Sequence, residues 1–262
     1  MPTAHIVLAH PEPQSYSAHL ARTAQGALLA AGWRVTLIDL YAIGFEPAEG
    51  PLHFKQRKHR ERFDPSTEQR HAFDTGRLPS VVQDEIRRLE AADLLVLQFP
   101  LWWYGPPAIL KGWFDRVLAY GATYTSKMRF ETGKFCGKRA IISVAGGGET
   151  ESFVLGGRNG DIRQSLWPVH YSLHYVGFTV VEPLTVMGVS AWSPDDDNPA
   201  ETARLGRHAE RVAVAVQSIE TRATVPFNTQ KDWTTEGAPH SGHDDPGPFV
   251  YRPGGDPRSL IS

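Results

Sequence analysis

Short apolar runs and helix-spaced stretches alternate five times along about 220 residues of this chain. Ile6–Ala9, Arg34–Leu40, Ala92–Phe99, Lys138–Ala145 and Phe178–Val189 have the composition of strands. Ser17–Ala31, Pro107–Ala119, Asp161–Tyr175 and Ala200–Ser218 carry apolar residues at helical spacing. Parallel neighbours need long crossovers, so this alternation predicts an α/β fold: a doubly wound parallel sheet with helices on both faces. Such sheets take ligands at the carboxyl ends of their strands. The loops after His10, Phe99 and Ala145 are therefore where chemistry is expected.

Composition narrows the classes. With 262 residues, 41% of them hydrophobic, the chain can bury a full core. A formal net charge of -2 gives no electrostatic reason to expect nucleic acid or an anionic membrane as partner. The single cysteine, Cys136, rules out an intramolecular disulfide and a cysteine-built zinc site, which suits a reducing compartment; the expected location is the cytoplasm. No signal peptide or bilayer-spanning run is visible, so no membrane insertion is expected. Domain organisation reads as a catalytic unit over 1–222 and an irregular, Pro- and Gly-rich arm over 223–262.

The first loop, His10-Pro-Glu-Pro-Gln-Ser15-Tyr16-Ser17, ends at a helix start rich in hydroxyls. Ser15 or Ser17 can cap that helix, and the free N–H groups there also suit a phosphate. Neither G-x-G-x-x-G nor a P-loop motif occurs. The second loop, Pro100-Leu101-Trp102-Trp103-Tyr104-Gly105, sets three aromatics in a row. Neighbouring side chains diverge, so at least one must line a cleft or an interface, and a flat conjugated ligand is one fitting occupant. In the third, Ala145-Gly146-Gly147-Gly148-Glu149, the glycines serve a flexible turn or the close approach of backbone to a ligand. Phosphate donors, a flat slot and accessible amides at one rim together suit a flavin.

Ala9-His10, Ser15-Tyr16-Ser17, Asp39-Leu40-Tyr41, Gln98-Phe99-Pro100-Leu101, Pro107 through Phe114, Gly160-Asp161 and Leu166-Trp167-Pro168 resemble the NAD(P)H:quinone reductases, the DT-diaphorase type of flavodoxin-like flavoprotein. The resemblance runs from about His5 to Arg204. It implies a five-stranded sheet in the order 2-1-3-4-5 and a homodimer with flavin at the subunit interface. It also implies FAD, with FMN as the lesser option. Hydride from NADPH or NADH would pass through the flavin to quinones by a ping-pong cycle. His10, Ser15, Tyr16 and Ser17 would hold the phosphates and ribityl chain, while Pro100, Leu101, Trp102, Trp103 and Tyr104 would pack along the isoalloxazine. Ala145 and Gly146 would lie beside the ring, Gly147 and Gly148 would offer amides to its pyrimidine end, and Arg204 would approach the adenylate. Tyr124 would cover the nicotinamide and quinone slot.

Two positions depart from the mammalian pattern. A tyrosine and a histidine that stabilise charge on the reduced flavin are replaced by Phe153 and Asn159. Phenylalanine has no hydroxyl, and asparagine donates a hydrogen bond but cannot gain a proton. The same reaction class with a different proton path is expected. Ser126 stands where the family has a second slot tyrosine. Azo or nitro compounds are alternative acceptors, and a flavodoxin-like regulatory subunit of a membrane transporter is the rival from another class. No metal is expected: His240, His243, Asp244 and Asp245 lie in the irregular arm. Asp195–Asp197 read as capping or solvated carboxylates, and basic Phe54–Arg62 as a solvated face.

Overall fold

In chain order the elements are β1 (Thr3–Leu8), α1 (Tyr16–Ala30), β2 (Arg34–Asp39), α2 (Pro65–Asp74), α3 (Ser80–Ala91), β3 (Leu94–Pro100), α4 (Ala108–Val117), β4 (Arg139–Ala145), α5 (Ile162–Tyr175), β5 (Thr179–Val180), β6 (Leu184–Val186) and α6 (Pro199–Gln217). They come from a computed structural model that describes residues 1–189, 198–238 and 240. All strand pairs are parallel, in the order β2-β1-β3-β4-β5, and β6 also pairs with β4.

Period-two alternation along the central strands divides the core in two. Leu95, Leu97 and Phe99 of β3 and Ala140, Ile142 and Val144 of β4 face the side covered by α2, α3, α4 and α5. Leu94, Val96, Ile141 and Ala145 face α1 and α6. Each side also buries a histidine, His170 on α5 and His208 on α6, and burial pushes both down to about 4, so both are neutral at pH 7.

The expected fifth strand, Phe178–Val189, is interrupted. β5 pairs with Arg139–Ala140 and β6 with Ser143–Ala145. Between them Pro183 has no N–H to give, and the Glu182 N–H turns outward to the Ala223 carbonyl. Residues 223–225 lie against this edge: Thr224 bridges Val181 antiparallel, and the Val225 N–H bonds to the Val180 carbonyl. Phe227 then stacks on His174 with ring centroids 4.1 Å apart.

Helices α2 and α3 were not expected from the sequence. Both place acidic side chains on their buried faces, which breaks the apolar stripe. Glu68 of α2, fully buried, accepts the N–H groups of Lys58 and His59, so part of the basic segment is pinned backbone. Glu85 of α3 is fully buried and accepts from Trp113 Nε1 at 2.8 Å and Arg88 Nη1 at 2.6 Å, while His5 Nε2 lies 3.2 Å away. Burial works to raise the Glu85 carboxyl; these partners, His5 foremost, outweigh it and leave its pKa below the ordinary value.

Candidate active site

The three loops leave the sheet side by side because their strands are in register. Leu8 aligns with Gln98, Gln98 with Ser143, and Pro100 with Ala145. Two backbone bonds carry the alignment into the loops, Ala9 N–H to the Gln98 carbonyl and Leu101 N–H to the Ala145 carbonyl.

In the first loop His10 Nδ1 lies 3.0 Å from the Glu12 N and 3.2 Å from the Glu12 carbonyl oxygen. Burial lowers the His10 pKa. Ser15 caps α1, its hydroxyl oxygen accepting from the Ala18 N–H. Tyr16 is buried and its hydroxyl donates to the Leu205 carbonyl on α6 at 2.7 Å. Burial raises the Tyr16 phenol's pKa. Ser17 is also buried. The cap and the backbone of the first turn are thus what this loop can present to a ligand, whereas the Tyr16 hydroxyl is committed to fastening α1 to α6.

The second loop closes in a tight turn, with Trp102 and Gly105 exchanging backbone bonds of 3.0 and 3.1 Å. Its two central residues have positive φ, 50° at Trp103 and 62° at Tyr104. Turns of this hand normally take Asn or Gly, and holding bulky residues there costs about 1–3 kcal/mol each. Such strain, once observed, is a pointer to function. The side chains do not retreat into the core: Trp103 is 96% exposed, Tyr104 52% and Trp102 42%. Trp102 tilts against the His10 ring at 5.9 Å, which joins the first two loops.

Packing accounts for two of the three glycines in the third loop. A Cβ on Gly146 would lie 2.5 Å from Met187 Sδ, and one on Gly148 would lie 2.7 Å from Phe153 Cε2 and 3.3 Å from Asn159 Nδ2. The segment after β6 braces it, since Val189 N–H bonds to the Gly146 carbonyl and Gly188 N–H to the Gly148 carbonyl. Arg204 in turn ties down that brace, donating to the Met187 and Gly188 carbonyls at 2.9 and 3.1 Å and pairing with Glu201. The N–H groups of Gly147 and Gly148 have no acceptor among the described residues. Two unpaired backbone donors beside exposed aromatics fit a flat ligand with a carbonyl-bearing edge.

Phe153 and Asn159 therefore do stand at the glycine loop. The Tyr124 ring packs on Tyr120 at 5.5 Å and Tyr175 at 5.6 Å, and burial raises its phenol's pKa. The bracing segment Met187–Val189 was not singled out from the sequence; Gly188, at φ 77°, was its one signal. Among the described residues no group of three or more His, Cys, Asp or Glu could hold a metal, and His243, Asp244, Asp245 and Asp195–Asp197 lie outside those residues. Asn198 caps α6, accepting from the Glu201 N–H.

A parallel 2-1-3-4-5 sheet with ligand-presenting loops at its carboxyl edge defines the flavodoxin-like class, and the sequence profile of the flavodoxin-like fold matches residues 2–212. NAD(P)H dehydrogenase [quinone] 1 of Rattus norvegicus is 40% identical over 192 residues, 72% of this chain and 70% of the relative. Ribosyldihydronicotinamide dehydrogenase [quinone] of Pongo abelii is 40% identical over 180 residues, 68% of this chain and 78% of the relative. A solved structure from Klebsiella pneumoniae, provisionally assigned as a quinone reductase, superposes with a TM-score of 0.80 at 30% identity, covering 90% of this chain and 92% of its own. The chain belongs to the NAD(P)H:quinone reductase family of flavodoxin-like oxidoreductases. No helix among the described residues is long and apolar enough to cross a membrane.

Proposed function

We propose that this protein is an FAD-dependent NAD(P)H dehydrogenase that reduces quinones or similar flat acceptors by a ping-pong cycle, as a cytoplasmic homodimer. The observation that carries the reading is the pair of amides at Gly147 and Gly148, without an acceptor among the described residues, together with the exposed, strained turn at Trp103 and Tyr104. Family membership supports it, because the named mammalian relatives are quinone dehydrogenases.

A bound flavin would supply two-electron redox chemistry between the nicotinamide and the acceptor. The residues of this chain bind and orient. The Gly147 and Gly148 N–H groups would donate to the pyrimidine edge, where preorganised donors stabilise developing negative charge without reorganising. Pro100, Leu101, Trp102 and Trp103 would cover the ring, and Ala145 and Gly146 would border it. The α1 start, with Ser15 and His10, would take the phosphates. Arg204, whose guanidinium is already bonded to Glu201 and to the Met187 and Gly188 carbonyls, would have to offer the adenylate what remains of it, so FAD over FMN rests on the family resemblance and chain length as well as on this residue. Tyr124 would cover the nicotinamide and quinone slot.

The test is direct. Purified protein should be yellow and release FAD, identified by mass, and NADPH oxidation with a simple quinone should give parallel double-reciprocal lines. Release of FMN would correct the cofactor, intersecting lines would remove the ping-pong cycle, and protein that binds neither flavin would overturn the reading.

A further inference from the structure

Three hydrogen bonds run from the aromatic turn into the loop beneath the glycines. The Tyr104 hydroxyl donates to Asn159 Oδ1 at 3.4 Å, Asn159 Nδ2 to Ser152 Oγ at 2.8 Å, and Ser152 Oγ to the Glu149 carbonyl at 2.6 Å. The backbone repeats the link, with the Asn159 N–H bonded to the Ser152 carbonyl at 2.8 Å. We propose that Tyr104 is a positioning residue whose hydroxyl, through Asn159, latches the aromatic turn to the glycine loop and so fixes the Gly147 and Gly148 amides.

Three consecutive glycines lose more conformational freedom on ordering than any other tripeptide, so a loop of this kind holds two N–H groups in place only if it is gripped from both sides. Gly188 and Val189 grip the side toward β6. On the other side Phe153, 8% exposed, packs where a Gly148 Cβ would fall but has no polar atom to offer. The Asn159 carboxamide lies beside it and is polar at both ends, accepting from Tyr104 and donating to Ser152. It cannot pass a proton in exchange for a charge, which makes it a fixed linker. Tyr104 reaches it from a backbone held at φ 62°, so the strained turn sets the direction of the phenol. The link also explains the choice of residue, because a phenylalanine at 104 would fill the same volume and leave Asn159 Oδ1 without this donor.

The inference rests on the proposed flavin site, and its test keeps the two apart. In flavin-free protein, Tyr104→Phe should speed hydrogen exchange of the bonded Ser152, Gly157 and Asn159 amides about twofold, as suits a long, exposed hydrogen bond. In flavin-loaded protein the same change should weaken binding of reduced flavin about twofold more than that of oxidised flavin. Asn159→Ala should do the same, and the double variant should be no worse than Asn159→Ala alone, because the two residues act through one link. Unchanged exchange in Tyr104→Phe, or additive effects in the double variant, would overturn the latch. Wild-type protein that binds no flavin would overturn the proposed function instead, and exchange in the flavin-free protein would still decide the latch.

Discussion

The two ends of the central sheet treat polar groups in opposite ways. Near the amino end, His5, Glu85 and Trp113 are fully buried and their polar atoms are bonded to one another, to Thr36 and to Arg88. At the carboxyl end two amides have no acceptor among the described residues, two bulky residues hold positive φ, and an indole stands in solvent. A closed network of buried polar groups rigidifies a fold, whereas open donors and retained strain are features that a ligand can exploit. The contrast separates stability from function within one sheet.

Substitutions should respect that separation, and the largest effect should fall at the amino end. Glu85→Ala leaves two buried partners, His5 and Trp113, unsatisfied and frees the partly exposed Arg88; it should cost about 3–5 kcal/mol in urea unfolding, with flavin affinity of the folded fraction unchanged. A matching loss of flavin affinity would break the contrast. Gly148→Val combines both kinds of effect at the carboxyl end, since its side chain meets Phe153; it should cost about 1–3 kcal/mol and also abolish flavin retention. Adding Phe153→Ala should recover stability without recovering retention. At the aromatic turn the signs should oppose each other: Trp103→Gly relieves the strain and should raise stability by about 1 kcal/mol while weakening flavin retention. Trp103→Ala should weaken retention alone, and unchanged retention would remove the aromatic wall. Ser15→Ala should cost about 1 kcal/mol through the lost cap, measured by thermal unfolding, and isothermal titration should show weaker binding of FAD.

Much of the fold was legible because the central strands are buried on both faces and read as unbroken apolar runs. Leu94 through Phe99 and Ala140 through Val144 needed no tertiary information. Helices α2 and α3 were hidden, since Glu68, Gln69 and Glu85 occupy positions where periodicity expects apolar side chains. The acceptors and donors that make those positions tolerable come from residues distant in the chain: Lys58 and His59 for Glu68, His5 and Trp113 for Glu85. The site was legible as three loops. Tyr16 shows the limit, because its place at the start of α1 gave no sign that its hydroxyl is spent on Leu205.

The order of residues by itself determined the alternating α/β architecture, the rim at which the loops gather and the kinship with quinone reductases. Those follow from local periodicity and from side-chain chemistry repeated along the chain. Tertiary structure decided which glycines are required, which N–H groups stay open, and how Arg204 and the 187–189 segment hold the loop from behind. Each of these depends on atoms brought together across tens of residues, and no pattern within one segment encodes the distance between them.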